Sequence, residues 1–361
     1  MVNQSVTIKD VAKAAGVSIT TVSRYLNRRY DSMSVETRER IEKVIEELNY
    51  QPNKMAQGLK GQTRTIAVVV VNLGYPFAVG VIRSISSVLS EMGYAMLVGE
   101  SAGDTAQEAQ LLQSLISQGV DGIIIQTSGQ NNDLLADIAL EKPVVLVDRQ
   151  FDVPGVTNVI TNNHEASREL TERLLLQGYQ HVVFVSEPPS NLSTRVERLG
   201  GYLEACRAAG VSSDPRWVLR DDPASMTQLA EQLFQNPPKK PFAVYTANGL
   251  VMLDLYPKLM HLPYSVPTEM GIATFDEPDW VQVTHPRLTC VRQPTDDIGM
   301  AAADTVLEQL RERIGQVFKS EPTVISRTAR PLQTSNGPKH HAPNQTMTIP
   351  SEVIWGASSS Q

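Results

Sequence analysis

The sequence TIKDVAKAAGVSITTVSRYLN, residues 7–27, predicts two short helices joined by a tight turn. Thr7 and Asp10 have the spacing of a capping box, with Asp in place of the usual Glu, and the small apolar residues after them form one face of a helix. Gly16 suits the left-handed conformation that ends a helix, and Ser18 is a favourable N-cap for the next one. This stretch is therefore expected to fold as helix, turn and second helix.

The second helix is amphipathic, since its apolar residues Ile19, Val22 and Leu26 recur three and four positions apart. A third helix is expected after Ser34, which completes a trihelical unit over residues 1–51. Two helices joined in this way resemble a helix-turn-helix, whose second helix fits the major groove of DNA and presents its N-terminal side chains to the bases. A packing unit with no DNA partner would show the same pattern, so both interpretations stay open at this point.

Charge is unevenly distributed over the 361 residues. Residues 1–60 hold 10 Lys and Arg against 7 Asp and Glu, whereas residues 61–361 hold 22 against 32, so a basic segment precedes an acidic body. Such asymmetry favours a polyanionic partner for the first segment. Cys206 and Cys290 lack metal-ligand spacing, and we expect no metal, no cofactor and no disulfide. With no leader and no apolar run of membrane-spanning length, we expect a cytoplasmic protein that does not enter a membrane.

A Pro- and Gly-containing stretch, residues 52–65, predicts a linker between the trihelical unit and the remaining chain. From Ile66 onward, Val- and Ile-rich runs alternate with helical patterns, which is typical of parallel strands covered on both faces. The predicted strands are Ile66–Val71, Tyr94–Val98, Gly122–Gln126, Val144–Val147, Val182–Val185, Phe242–Thr246, Gly271–Thr274 and Leu288–Val291. They form two sets divided near Asp148–Asn163, so the fold class is an all-α head plus an α/β core of two doubly wound parallel-sheet lobes.

The C-terminal part departs from this alternation. A helix is expected from about Ile298 to Val317, followed by an irregular stretch over residues 319–347 and a final strand at Thr348–Trp355. His340 and the histidine after it could bind a metal, but a solvated loop is the expected interpretation.

Residues 7–27, followed by SVETRERIEKVIEELNYQPN at 34–53, closely resemble the head of the LacI/GalR family of bacterial transcription regulators. The resemblance continues, in order, through KMAQGLKG, GVDGIIIQ, PVVLVDRQ, ERLGGYLEA, AVYTANG, GIATFDEP and HPRLTCVRQP. It implies a homodimeric repressor of carbohydrate or sugar-acid catabolism genes that binds a pseudo-palindromic operator. It also implies a DNA-binding domain at 1–51, a hinge at 52–65, and an effector-binding and dimerisation core at 66–361 that is similar to periplasmic binding proteins.

The resemblance also implies which residues meet DNA. Ile19, Thr20 and Arg24 occupy the base-reading positions of the recognition helix, and Leu59 matches the hinge leucine that wedges into the minor groove. The full DNA-binding set is Thr7, Ser18, Ile19, Thr20, Thr21, Ser23, Arg24, Asn27, Ala56, Leu59 and Lys60. Gly58 departs from the family pattern. A hinge that becomes helical on DNA is less stable by about 0.8–1.0 kcal/mol with Gly than with Ala at such a position.

Effector-binding candidates lie just after the core strands, where ligands of open α/β sheets bind. The set is Tyr75, Phe77, Thr127, Asp148, Arg149, Arg198, Asn248 and Asp276. Carboxylates and amides suit vicinal hydroxyls, aromatic rings suit a sugar face, and arginine suits a ring oxygen or a carboxylate. A neutral sugar and a sugar acid both remain open, and the stretch Phe275–Trp280 resembles relatives that respond to keto-sugar acids.

Two other classes of protein are weighed against a regulator. A transport-type sugar-binding protein would share the core, but it needs no basic head and should carry a secretion leader. An enzyme would need a catalytic set, and the chain has no GxGxxG after its first strand, no Walker loop, no GxSxG and no HExxH. We therefore expect no enzymatic activity.

Overall fold

The computed structural model describes residues 7–26, 30, 33–48, 50, 63–190, 192–320 and 345–360. The chain divides into two compact units, residues 1–63 and 64–361. Within the described ranges, no helix combines the length and apolarity needed to cross a bilayer.

The N-terminal unit contains three helices, as predicted. They are α1 (Ile8–Ala15), α2 (Ile19–Leu26) and α3 (Val35–Glu47). Val11, Val22 and Ile41, one from each helix, are fully buried where the helices meet. A single small core therefore holds the unit together.

Local hydrogen bonds define where these helices begin and end. The Asp10 carboxylate accepts from the Thr7 amide at 2.8 Å and from the Thr7 hydroxyl at 2.6 Å, which makes Asp an effective substitute for Glu in the capping box. Gly16 ends α1 with φ of 65°, a left-handed conformation that costs glycine little. Ser18 then caps α2 by accepting from the Thr21 amide at 3.1 Å. The turn between α1 and α2 is therefore specified locally.

The first lobe of the core is a six-stranded parallel sheet in the order β11-β5-β4-β3-β1-β2. Its strands are β1 (Thr65–Val70), β2 (Ala95–Glu100), β3 (Gly122–Ile125), β4 (Val144–Val147), β5 (Thr157–Thr161) and β11 (Gln345–Ile349). Its helices are α4 (Pro76–Glu91), α5 (Thr105–Ser117), α6 (Asn132–Glu141) and α11 (Thr295–Ser320). Two clusters of buried apolar side chains pack this lobe.

The second lobe repeats the plan with the order β12-β10-β9-β8-β6-β7, in which only β12 is antiparallel to its neighbour. Its strands are β6 (His181–Ser186), β7 (Asp214–Trp217), β8 (Phe242–Thr246), β9 (Met270–Phe275), β10 (Thr289–Arg292) and β12 (Glu352–Ile354). Its helices are α7 (Asn163–Leu176), α8 (Ser193–Ala208), α9 (Pro223–Gln235) and α10 (Gly249–Met260). The predicted fold class is confirmed.

The chain crosses between the lobes at three places in the described residues: after Thr161, after Arg292 and after Ile349. The first and third crossings are joined, since the Thr161 hydroxyl donates to the Ile349 carbonyl at 2.8 Å and the Ser351 amide donates to Asn162 Oδ1 at 2.7 Å. Short, mutually bonded crossings restrict the lobes to hinge-like movement.

All eight predicted strands are present: Val144–Val147 and Phe242–Thr246 match at both ends, and the other strand ends differ by at most two residues. The C-terminal prediction was wrong. The single strand expected at Thr348–Trp355 is two strands, β11 and β12, in different lobes. The helix expected to end near Val317 continues to Ser320, and residues 345–347, expected to be irregular, belong to β11. Residues 321–344, including His340, lie outside the described residues.

Candidate functional site

Strand ends of both lobes open onto one cavity of ≈ 150 Å³. The first lobe contributes Tyr75, Gln126 and Asp148, and the second contributes Arg198 and Asn248. Tyr75, Gln126, Asp148 and Asn248 follow parallel strands at their carboxyl ends, the position where α/β sheets bind ligands, and Arg198 reaches the cavity from helix α8. The cavity is therefore a candidate effector site.

Asp148 follows β4 with φ of 68°, a left-handed conformation that is rare outside glycine. Its Oδ2 accepts from Gln126 Nε2 at 2.5 Å, and only 6% of the residue is exposed. Burial raises the pKa of Asp148, although the positive charges of Arg198 and Arg149 act to lower it. A ligand that donates hydroxyl groups to this carboxylate would relieve its desolvation.

Arg198 projects from α8 and is only 4% exposed. Its Nε donates to Asn163 Oδ1 and one Nη donates to the Ala247 carbonyl, both at 2.8 Å, while the guanidinium lies 3.7 Å from the centre of the Phe275 ring. Burial acts to lower the pKa of Arg198, but Asp276 and the other acidic groups nearby outweigh it and the pKa is raised. The cavity therefore contains a fixed positive charge.

Arg149 lies on the opposite wall from this guanidinium, in the first lobe. One of its Nη atoms donates to the Thr127 carbonyl at 2.9 Å, but its buried Nε has no partner among the described residues. Burial lowers the pKa of Arg149, with Asp148 acting against the shift and Arg195 adding to it. This guanidinium is thus short of negative partners.

Arg195, Glu187 and Asn248 form a chain of contacts along the second lobe. Arg195 donates to Glu187 Oε1 at 2.7 Å, and Asn248 Nδ2 donates to Glu187 Oε2 at 2.8 Å. Asn248 also caps α10, because its Oδ1 accepts from the Val251 amide at 2.9 Å. The Asn248 side chain is thereby held at the cavity wall.

Beside the cavity the Gln150 amide of the first lobe donates to Ser193 Oγ of the second at 2.8 Å, and the Tyr75 hydroxyl donates to Asp276 Oδ2. Asp276 also accepts from the Gly249 amide at 3.0 Å and from Gln293 Nε2 at 2.5 Å. Burial, and then the negative charge of Asp276, raise the pKa of Tyr75, so the hydroxyl keeps its proton at neutral pH. The bond is a charge-assisted contact between lobes.

Five of the eight predicted effector residues line the cavity: Tyr75, Asp148, Arg149, Arg198 and Asn248. Three do not, for distinct physical reasons. The Phe77 ring is 5% exposed and packs in the core of the first lobe. Thr127 donates its hydroxyl to the buried carboxylate of Glu108 at 2.8 Å. Asp276 lies beside the cavity but is occupied by the three donors described above.

Six polar residues of the wall escaped the sequence reasoning: Asn72, Gln126, Glu187, Thr194, Arg195 and Arg220. Gln126 directly follows β3 and Glu187 directly follows β6. The expectation that ligands bind just after the core strands could therefore have identified both residues. Arg195 is one helical turn before Arg198, which the spacing of three predicts. Arg220 follows β7, and the sequence DPRW gives no strand signal.

In the N-terminal unit, the start of α2 presents the predicted base-reading positions to solvent. Ile19 is 45% exposed, and Thr20 and Arg24 are also exposed. The hydroxyls of Ser18 and Thr21 lie 2.9 Å apart within the helix cap. Ser23 is half-buried, and Thr7 is occupied in the capping box. Asn27, Ala56, Leu59 and Lys60 lie outside the described residues, as does Gly58.

Metal chemistry has no visible basis in the described ranges: they contain no cluster of His, Cys, Asp and Glu suited to an ion. Cys206 and Cys290 are both buried as free thiols.

Comparison with known proteins gives two family matches. Residues 7–53 match the model described as "Bacterial regulatory proteins, lacI family", and residues 63–333 match "Periplasmic binding proteins and sugar binding domain of LacI family". The chain is 34% identical over 328 residues to the HTH-type transcriptional regulator KdgR of Bacillus subtilis (strain 168), covering 89% of this chain and 96% of that protein. It is 34% identical over 312 residues to the HTH-type transcriptional regulator PtxS of Pseudomonas putida, strain KT2440, covering 85% and 90%.

Solved structures share the fold. The lac repressor dimer bound to operator and the anti-inducer ONPF superposes with a TM-score of 0.78 at 23% identity, covering 99% of each chain. The complex of the transcriptional regulator CelR with cellobiose superposes with a TM-score of 0.63 at 25% identity, covering 98% of this chain and 99% of that one.

Proposed function

This chain belongs to the LacI family of bacterial regulatory proteins, which makes it a DNA-binding transcription regulator and not an enzyme, and we propose that it represses genes of sugar-acid breakdown. In this proposal residues 1–51 bind DNA, 52–65 form the hinge, and 66–361 bind the effector and dimerise in the cytoplasm. Two copies place two α2 helices on a pseudo-palindromic operator.

DNA recognition is assigned to the exposed start of α2. Arg24 can fork onto a guanine, and Thr20 can offer a hydroxyl or a methyl group to a base edge. The hinge leucine, Leu59, is assigned to the minor groove, where a wedged apolar side chain unstacks a base step. The basic balance of residues 1–60 supports this assignment, since it favours contact with phosphates.

The choice of a sugar acid rests on one observation, which is the charge of the cavity wall. Two carboxylates line the cavity, Asp148 and Glu187, against four arginines. The arginines are Arg149, Arg195, Arg198 and Arg220. Arg195 pairs with Glu187 and Arg220 pairs with Asp254, both at 2.7 Å, and Asp276 and Asp148 compensate Arg198. The buried Nε of Arg149, by contrast, has no partner among the described residues. A cavity wall with an incompletely paired buried guanidinium favours an anionic ligand, because an unpaired buried charge is costly.

The remaining wall suits a polyol. Asp148 in the first lobe and Asn248 in the second can each accept a hydrogen bond from a hydroxyl group of the ligand, while Gln126 can both donate and accept. We assign the carboxylate of the effector to Arg198, which is buried and fixed by Asn163 and the Ala247 carbonyl. A hydroxylated acid bound in this way contacts both lobes, so it can alter their arrangement and with it the operator affinity of the dimer.

A ligand screen tests the effector class. Sugar acids and neutral sugars of matching stereochemistry are added to the full chain, and thermal unfolding is followed. A ligand at 100 times its dissociation constant adds about 2.7 kcal/mol to stability. We expect stabilisation by an acid and loss of that stabilisation in Arg198→Gln, with Arg207→Gln, an exposed arginine on α8, as the control. Equal stabilisation by the neutral sugars would refute the choice of an acid.

Operator binding is measured separately, by fluorescence anisotropy with a palindromic duplex, with and without the stabilising ligand. We expect the ligand to change the operator dissociation constant. A bound ligand that leaves operator affinity unchanged would refute the coupling.

A further inference from the structure

An outer chamber of ≈ 460 Å³ adjoins the effector cavity. The two spaces share part of their walls, namely Val71, Arg149, Leu192 and Arg195. A ligand group placed in the outer chamber therefore lies next to an effector in the cavity, with arginines at the boundary.

The wall of the outer chamber is polar and positive. Arg149 and Arg195 are its charged residues, and none of the described residues that line it is a carboxylate. Ser128, Gln130 and Ser190 add polar side chains. Hydroxyl, amide and guanidinium groups around a space without carboxylates match the donors that bind phosphoryl oxygens.

Nearby carboxylates leave part of this positive charge uncompensated. Glu187 pairs with Arg195 at 2.7 Å, on the side of the inner cavity. Glu108 is buried and accepts from the Thr127 hydroxyl at 2.8 Å and from the Ser128 amide at 2.6 Å, so it is already satisfied. Arg149 lines both spaces, and its buried Nε has no partner among the described residues.

The electrostatics agree with this geometry. Burial lowers the pKa of Arg149; Asp148 acts most strongly against this shift, Arg195 adds to it, and Tyr75 and Glu108 oppose it, with a lowered pKa as the result. An anion between the two guanidinium groups would stabilise both of them.

We propose that the outer chamber is a second anion site, which binds a phosphoryl group between Arg149 and Arg195. The proposal rests on the proposed function, because it places this group beside a sugar acid in the inner cavity. Two sources share the chemistry: a phosphate ester carried by the sugar acid itself, and free inorganic phosphate bound beside an unphosphorylated acid.

Calorimetric titration of the full chain at constant ionic strength tests the site with three probes: inorganic phosphate, gluconate and 6-phosphogluconate. Gln130→Glu is the main variant, since it is isosteric, exposed, and places a negative charge in the chamber. Arg195→Gln is the second variant, and Arg207→Gln on the same helix is the matched control.

We expect 6-phosphogluconate to bind about tenfold more tightly than gluconate, as expected for one added charge-assisted contact. Gln130→Glu and Arg195→Gln should abolish this advantage, Gln130→Glu should leave gluconate binding unchanged, and Arg207→Gln should change neither. If the source is free phosphate, inorganic phosphate alone binds the wild type and not Gln130→Glu.

The proposal is overturned if neither inorganic phosphate nor 6-phosphogluconate shows binding that depends on Gln130 and Arg195. Failure of the sugar-acid assignment has a different signature. In that case 6-phosphogluconate and inorganic phosphate bind equally well, because the sugar-acid part contributes nothing.

Discussion

Replacing Tyr75 with Phe removes a single oxygen, and with it one of the hydrogen bonds that join the lobes beside the cavity, while the bond from the Gln150 amide to Ser193 remains. Asp276 loses one of its three donors and keeps the Gly249 amide and Gln293. A hydrogen bond to a charged group contributes about 1.5–3 kcal/mol. With an unfolding entropy of about 2.1 cal/mol/K per residue, a core of this size should lose roughly 2–5 °C of melting temperature.

Tyr245→Phe is the matched control, because the Tyr245 hydroxyl donates to Ser167 at 2.9 Å within the second lobe and both groups are neutral. Its loss should cost about 0.5–1.5 kcal/mol. Denaturant unfolding gives both free energies, and hydrogen exchange at the crossings after Thr161 and Arg292 reports on the contact between lobes. We expect faster exchange there in Tyr75→Phe only. If Tyr75→Phe is no less stable than Tyr245→Phe and exchanges equally slowly, the bond does not hold the lobes together.

Further predictions concern a buried acid and the helix ends. Asp148→Asn should flatten the pH dependence of stability. Burial raises the pKa of Asp148 in the folded protein above its ordinary value near 3.8, so the folded protein binds this proton more tightly than the unfolded chain. Wild-type stability therefore falls as the pH rises from the unfolded-state pKa to the folded-state pKa, and the variant lacks this fall. Melting temperatures between pH 4 and 7 for both proteins check this, and parallel curves would contradict it. Gly16→Ala and Gly210→Ala should each lower the free energy of unfolding by roughly 1–2 kcal/mol, because both glycines have positive φ. An added Cβ would have no other atoms within 4 Å, so backbone conformation alone sets this cost. Only Gly16→Ala should weaken operator binding, because only Gly16 lies in the turn before α2. Ser18→Ala and Ser34→Ala should each remove a helix cap worth about 0.5–2 kcal/mol, which hydrogen exchange measures. Operator affinity should fall more in Ser18→Ala than in Ser34→Ala, and equal affinities of the two variants would argue against a DNA contact at Ser18.

Local rules were sufficient for the helices of the N-terminal unit and for most interior strands, but β5 (Thr157–Thr161), which lies between β4 and β11, was not predicted. The turn at Gly16 and the caps at Thr7 and Ser18 depend on neighbours in sequence, so their hydrogen bonds could be anticipated. Edge strands were harder, because β7 (Asp214–Trp217) lacks an apolar run. The split of the final strand into β11 and β12 depends on which sheet edge each piece meets, and periodicity contains no such information.

The candidate site shows the same limit. The position of a residue after a strand identified Asp148, Asn248 and Tyr75, since the carboxyl ends of parallel strands meet at one edge. The direction of a side chain is not contained in that rule. Phe77 turns into the core, although it is only two residues from Tyr75. Arg220 reaches the wall from a strand that was not predicted.

Whether the effector stabilises or weakens the contact between the lobes follows from the charges on the two lobes. Asp148 belongs to the first lobe and Arg198 to the second, and the raised pKa of Asp148 means that the attraction between them does not fully offset the burial of the carboxylate. A hydroxylated acid supplies what each group lacks, since its hydroxyls donate to Asp148 and its carboxylate meets Arg198. A ligand changes an equilibrium only by its different affinity for the two states, and these two contacts exist together only while the lobes are in contact. We therefore expect the effector to stabilise the joined arrangement. A simple carboxylic acid without hydroxyl groups should contact Arg198 alone, in the second lobe, and leave operator affinity unchanged.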